Sequence, residues 1–368
     1  MNTSDIEKAF KPPIITAFGN VLLDIEAIII DESIIKKFDL EAEAQKEIDE
    51  AEYVVLLEET TTKCNIAMRC PGGSAQNTLR WFQWLIQLPN YSVIFGGIGT
   101  DDNGEFLERA VTKDGVRTRY AYHQEFKTGT CISFINGKRS LVAHLGAANH
   151  YSANDLDIPE NWEILKNALM IYVEGFFITH SFEVAMLVAS FCHTNGNCFG
   201  MNLNAPYVCQ KYGDRLLNLM QYADIIFGHS SEFLALSNFI ISPVNSPQDV
   251  ASFIQKRSLL KEKKKRKKNI PPLLQNGPII IITASSQPVS VFQGLSEDPL
   301  VFPVPHLDKA FIKDTTGAGD AFVAGFLSAA FANMDLEKCV KNGCSTSHKI
   351  IQQIGVSVPS HSPERSSV

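Results

Sequence analysis

Apolar runs and polar breaks alternate along most of the chain at strand and helix spacing. Ile14–Phe18 is a short apolar run that stops at Gly19-Asn20, which predicts a buried strand. Val21–Ile30 continues apolar, with Asp24 and Glu26 embedded. Such an acid is either a ligand at a strand end or an exposed position on an edge strand, and the pattern leaves both open. Residues 31–65 are more polar, with helix-like pieces over Asp31–Phe38 and Ala42–Leu57. Trp81, Trp84, Leu85 and Leu88 recur at helical spacing, so the tryptophans read as core, and Pro89 ends that helix. Val93–Phe95 reads as a short strand, followed by a glycine turn over Gly96–Asp102 and a helix to about Lys113.

The pattern changes over 117–147. Thr130–Ile135 and Ser140–Leu145 flank Asn136-Gly137, a hairpin signal. Further on, strands are expected over Leu169–Val173, Cys198–Leu203, Ile225–Phe227, Ile279–Thr283 and Val289–Phe292. Helices are expected over Phe182–His193, Leu216–Tyr222, Ser231–Asn238, Ala321–Phe331 and Leu336–Gln352. Strand and helix in turn predict an α/β fold on a mainly parallel sheet, with a small β element inserted. The Ser- and Pro-rich residues 359–368 read as a disordered tail.

Composition narrows the class. A chain of 368 residues with 45% hydrophobic and 20% charged residues can bury a large core. The net charge of −7 argues against nucleic-acid binding by the surface as a whole. No apolar run approaches the roughly 20 residues that span a bilayer. No signal peptide is legible at the N-terminus, and the eight cysteines lack CxxC spacing, so reduced thiols of a cytoplasmic protein are expected. One charged run stands out: residues 261–268 hold seven cations in eight positions. It reads as a solvated loop or as a nuclear-import signal for an import receptor.

Two glycine turns carry the candidate chemistry. Pro71–Asn77 opens the tryptophan-bearing helix, and Lys313-Asp314-Thr315-Thr316-Gly317-Ala318-Gly319-Asp320 opens another. A glycine turn feeding a helix N-terminus presents unpaired backbone N–H groups to an anion. Asp320 there is either a helix cap or a group that takes a proton beside that anion.

These turns, with Gly19-Asn20-Val21-Leu22-Leu23-Asp24, Gly72-Gly73-Ser74-Ala75-Gln76-Asn77, Thr128-Gly129-Thr130-Cys131, Arg139-Ser140-Leu141, Gly175-Phe176-Phe177 and Asn202-Leu203-Asn204-Ala205-Pro206-Tyr207, resemble the ribokinase-like carbohydrate kinase family, from about residue 14 to 356. Within it they are most similar to the branch that acts on adenosine. The resemblance implies a central, mainly parallel sheet flanked by helices, with a smaller α/β lid. The large domain would take 12–24, 66–116 and 148–358, and the lid 25–65 and 117–147. It implies transfer of the γ-phosphoryl of ATP to the 5′-hydroxyl of adenosine, giving AMP and ADP with Mg²⁺, by a monomer.

Carried onto this chain, the resemblance makes Asp320 the general base and Gly317, Ala318 and Gly319 the anion hole. Asn20 and Asp24 would fix the ribose hydroxyls, with Gly73, Ser74 and Asn77 at the same end. Leu22, Cys131, Leu141, Ala143, Leu145, Phe177 and Tyr207 would form the base pocket. Arg139, Thr283 and Thr316 would serve the phosphates, with Glu232 acting on phosphate and, through water, on Mg²⁺. The chain departs from the family at His229, where Asn is usual, at Thr316, at Thr283-Ala284-Ser285-Ser286, where glycine is common, and near Cys344. Two other readings remain: a nucleoside-binding protein of impaired catalysis, and a ribokinase- or fructokinase-type sugar kinase.

Overall fold

The computed structural model describes residues 3–41, 45–136, 138–240, 244, 246–259, 266–275, 277–294, 296 and 298–359. Among these, strands form two sheets. The nine-stranded sheet runs in the order Leu300–Phe302, Gln287–Gln293, Ile279–Ala284, Ile225–His229, Cys198–Asn202, Met170–Glu174, Ile15–Phe18, Ser92–Gly99, Arg117–His123. All its joints are parallel except the two that bring in Gln287–Gln293 and Leu300–Phe302. Side chains alternate between its faces, as strand geometry requires. Ile171 and Val173 pack with the helices Phe182–Asn195 and Pro206–Met220. Met170 and Tyr172 join the core around Ser74–Ile86, Ala318–Phe331 and Leu336–Ile351. Trp81 lies fully buried there, with Trp84 edge-on at 5.4 Å.

The smaller sheet has five strands, in the order Gln45–Glu47, Lys138–Gly146, Thr128–Asn136, Leu22–Ile29, Cys64–Gly72. Its outline differs from the expected lid in two places. Arg117–His123 pairs in parallel with Ser92–Gly99 and is the edge strand of the large sheet. Leu22–Asp24 and Ile66–Gly72, expected in the large domain, are strands of the small sheet. The helix expected over Ala42–Leu57 starts at Glu50, where Asp49 caps it through the amide of Glu52 at 2.9 Å. Gln45–Glu47 is instead a strand. Gly96-Gly97, expected as a turn, lies inside a strand. The glycines are needed for close packing: a Cβ on Gly96 would sit 2.5 Å from the Gly19 carbonyl, and one on Gly97 2.6 Å from that of Ala147.

All eight cysteines are free. No helix among the described residues is long and apolar enough to cross a membrane. Of the basic run, 261–265 lie outside the described residues, as do 360–368 of the tail and Gly137 of the hairpin. Arg266 and Lys267 are tied to the large domain. Arg266 pairs with the buried Asp224 and donates to Asn197 O at 3.0 Å, and Lys267 Nζ donates to Ala168 O at 2.8 Å.

Candidate active site

Register alone decides which side chains of the small sheet share a face. Asp24 pairs with Cys131, which pairs with Ala143; Glu26 pairs with Ser133, which pairs with Leu141. Paired positions lie on the same face, and positions two apart along each strand repeat it. Leu22, Asp24, Glu26, Cys131, Ser133, Arg139, Leu141, Ala143 and Leu145 therefore line one face. The intervening Leu23, Ile25, Ile132, Phe134 and Val142 pack into the core. At the apolar end, Leu22, Leu145 and Ala148 cluster with Cys131.

The large sheet supplies the opposite wall. Gly73 holds φ +94° just before the helix Ser74–Ile86, and a side chain there would collide with the Asn20 carbonyl. That turn aims Ser74 and Asn77 at Asp320. Ser74 Oγ donates to Asp320 Oδ1 at 2.6 Å and accepts from Asn204 Nδ2 at 2.6 Å. Asn77 also hydrogen-bonds Asp320, while its own Oδ1 accepts from Arg80 at 3.2 Å. Its amide nitrogen is therefore the donor to the aspartate. Burial raises the Asp320 pKa to about 6, against the pull of Ser74 and Asn77.

Asp320 is not a helix cap. The helix starts at Ala318, Gly317 is the N-cap at φ +72°, and Asp320 lies within the first turn. Ala318 N donates to Thr315 O at 3.2 Å. The N–H groups of Gly317, Gly319 and Asp320 donate to no protein acceptor among the described residues. Of the expected trio Gly317, Ala318 and Gly319, only Ala318 has its N–H engaged, in the turn itself; Gly317, Gly319 and Asp320 keep theirs unpaired.

Asp24 stands across from this helix. Burial raises its pKa to about 7, Glu26 adds to the rise, and Arg139 opposes it. An ionised carboxylate here can accept two hydroxyls at once, which the protonated acid cannot. Binding of a ligand with vicinal hydroxyls at Asp24 is therefore expected to strengthen as pH increases through about 7 and to become flat in Asp24→Asn, read by titration calorimetry. Affinity unchanged in the variant would remove Asp24 from the site.

Arg139 does not lie free over the cleft. It pairs with Glu26 and Asp314, and it also donates to Thr316 Oγ1 and Ser133 Oγ. The small sheet is thereby tied to the loop leading into the glycine turn.

The nucleotide end is arranged around Glu232. Its Oε2 accepts from His229 N at 2.8 Å, and burial raises its pKa to about 7. The other oxygen accepts from no protein donor among the described residues. His229 replaces the usual amide and still caps its helix: Nδ1 accepts from Ser231 N at 3.3 Å. The other ring nitrogen lies 3.3 Å from Ser285 Oγ. Ser285 holds φ +54° in the turn where the family favours glycine, a conformation costing a non-glycine residue about 1–2 kcal/mol. Thr283, next to last in the strand Ile279–Ala284, donates through Oγ1 to Gly228 O at 3.3 Å. Cys344 is buried in the helix Leu336–Ile351.

Two base-pocket positions need comment. Phe177 is fully buried against Phe18 and Tyr151 and does not face the cleft. Its neighbour Phe176 is half-buried, with its ring 6.2 Å from that of Tyr207. Glu174 ends an otherwise apolar strand and belongs to no motif legible in the sequence. Its carboxylate accepts from Asn20 N at 2.6 Å and Ala75 N at 2.5 Å, joining the two walls, and burial raises its pKa to about 8. A separate cleft of about 430 Å³ between Arg117–His123 and Asn154–Asn161 includes none of these residues.

A buried proton acceptor beside unpaired helix amides, under an apolar roof, suits phosphoryl transfer to a hydroxyl; fold and site define a small-molecule kinase. The chain belongs to the pfkB family of carbohydrate kinases, whose pattern matches residues 41–363. It is 34% identical to adenosine kinase 2 of Arabidopsis thaliana over 94% of this chain and 96% of that protein. It is 29% identical to the adenosine kinase of Dictyostelium discoideum over the same shares. The structure of Anopheles gambiae adenosine kinase with P1,P4-di(adenosine-5) tetraphosphate matches at TM-score 0.83 and 32% identity, covering 96% of this chain and all of that one, which gives the ribokinase-like fold. Adenosine kinase from Schistosoma mansoni with 2-fluoroadenosine matches at TM-score 0.83 and 25% identity, covering 95% and 98%.

Proposed function

We propose that the protein transfers the γ-phosphoryl of ATP to the 5′-hydroxyl of adenosine, yielding AMP and ADP. The observation that carries this reading is Asp320, held by Ser74 and Asn77 beside the unpaired amides of Gly317 and Gly319. Asp320 takes the proton of the attacking hydroxyl. The unpaired amides receive the charge on the transferred phosphoryl oxygens. Asp24 and Asn20 hold the ribose, and the Leu22–Leu145 face covers the base. The large apolar face fits a nucleoside better than a bare sugar. Relatives named as adenosine kinases, matched along nearly the whole chain, support the same choice.

No group of three or more acidic, His or Cys side chains among the described residues could by itself hold a metal. Mg²⁺ needs no such cage: it keeps its waters and rides on nucleotide phosphates with one carboxylate nearby. Glu232 would hold it through water, and the ion would neutralise phosphate charge. The test is a panel of nucleosides and sugars with Mg-ATP, read by product mass. Phosphorylation of ribose or fructose but not adenosine overturns the reading; adenosine binding without any turnover favours a pure binder.

Action as a monomer is part of the same reading; size-exclusion with light scattering tests it. For the basic run, Arg266 and Lys267 are engaged in the fold, so an import signal would rest on Lys261, Lys263, Lys264, Lys265 and Lys268. Neutralising those five is expected to move any nuclear fraction to the cytoplasm with catalysis unchanged, scored by imaging. An unchanged distribution leaves the solvated-loop reading.

A further inference from the structure

The Asn20 side chain is gripped from behind. Its backbone N–H is fixed by Glu174 at 2.6 Å, so the remaining freedom is which way its amide faces. One amide atom lies 2.8 Å from His180 Nε2. The other makes no hydrogen bond among the described residues and is not sealed from solvent. His180 also packs edge-on against Phe177 at 5.6 Å.

Proton counting settles the orientation. Ser181 Oγ donates its one proton to Tyr151 O at 2.6 Å. It can then only accept from His180 Nδ1, 2.8 Å away, so Nδ1 carries a hydrogen. Burial, and after it His150, lowers the His180 pKa to about 4, so the ring is neutral at physiological pH. Nε2 is therefore an acceptor. Its partner must be the Asn20 amide nitrogen, the reverse of an oxygen placed there, since amide oxygen and nitrogen are told apart by such networks. The Asn20 oxygen then turns outward.

We propose that His180 is a positioning residue that locks the Asn20 amide so that it presents an acceptor, selecting a hydroxyl-bearing nucleoside. The inference rests on the reading of Asn20 as a substrate contact. Without His180 the amide is free to rotate and present a donor instead.

The test uses the full chain with His180→Leu and His180→Gln, each also in an Asn20→Ala background. Steady-state kinetics are run with adenosine and Mg-ATP, and adenosine binding is titrated separately. One neutral hydrogen bond predicts that His180→Leu raises adenosine KM and Kd by about three- to tenfold, with kcat and ATP KM within about twofold. His180→Gln, which restores an acceptor, recovers most of the affinity. In Asn20→Ala, His180→Leu has no further effect, because coupled residues are not additive. An unchanged adenosine KM in His180→Leu, or an equal increment in both backgrounds, overturns the proposal. Failure of the wild type to bind adenosine at all overturns instead the functional reading on which it rests. Melting curves separate misfolded variants, and the Gln variant keeps the test open if the Leu variant does not fold.

Discussion

Asp320→Asn is expected to lower adenosine turnover by about 10²–10⁴-fold, the range general-base catalysis supplies. The substitution keeps the shape and an oxygen that can accept from Ser74, so adenosine affinity should stay within a few-fold. The pH profile gives a second readout. With a pKa near 6, Asp320 ionises as pH rises through that value, so wild-type kcat should climb there. The variant has no group to ionise and should lose that limb. Stopped-flow or coupled assays across pH 5–8 check both points. Equal turnover in the two proteins would reduce Asp320 to a structural partner of Ser74 and Asn77.

The fold was legible where one period ran long enough. Met170–Glu174 and Ile225–His229 are apolar runs buried on both faces and sit within a residue or two of where the pattern put them. Cys64–Gly72 is not legible locally because Asn65 to Arg69 are mostly exposed and show no alternation of apolar and polar positions. Its strand character comes from pairing with Leu22–Ile29, a long-range contact. Likewise Gly96-Gly97 looks like a turn locally, and only the nearby Gly19 and Ala147 carbonyls explain glycines in a strand. For the site, the motifs pointed to most positions but not to their partners. Phe176 and Phe177 are identical in type, and only packing tells which faces the core. Glu174 and His180 bond to Asn20 across about 150 residues of chain, a relation no local spacing encodes.

Removing Arg139 is the other large effect. Arg139 is mostly buried, with 16% side-chain exposure, between Glu26 at 2% and Asp314 at 6%. Arg139→Leu leaves two carboxylates facing each other without their cation. Breaking a buried pair from one side costs about 3–5 kcal/mol, far more than an exposed pair is worth. Burial already raises the Glu26 pKa against the pull of Arg139, and Asp314 adds to the rise. Loss of the arginine pushes it further up. A carboxylate whose folded pKa is raised costs nothing below its unfolded value, 4.5 for Glu26, and destabilises as pH rises above it. The deficit of Arg139→Leu should therefore be smallest near pH 4 and widest near neutrality, measured by urea unfolding. Turnover should also fall, since Arg139 stands beside Thr316 at the mouth of the anion turn. The double variant Arg139→Leu, Glu26→Leu separates the two roles. Replacing charges on both sides with apolar groups relieves the buried repulsion, so much of the stability should return. Turnover should not return, because no cation then stands beside Thr316 at the glycine turn. A double variant with wild-type kcat would confine Arg139 to holding the small sheet against Asp314. A single variant as stable as wild type would mean that water reaches Glu26 and Asp314 once the arginine is gone, and that the ion pair is not what ties the two sheets together.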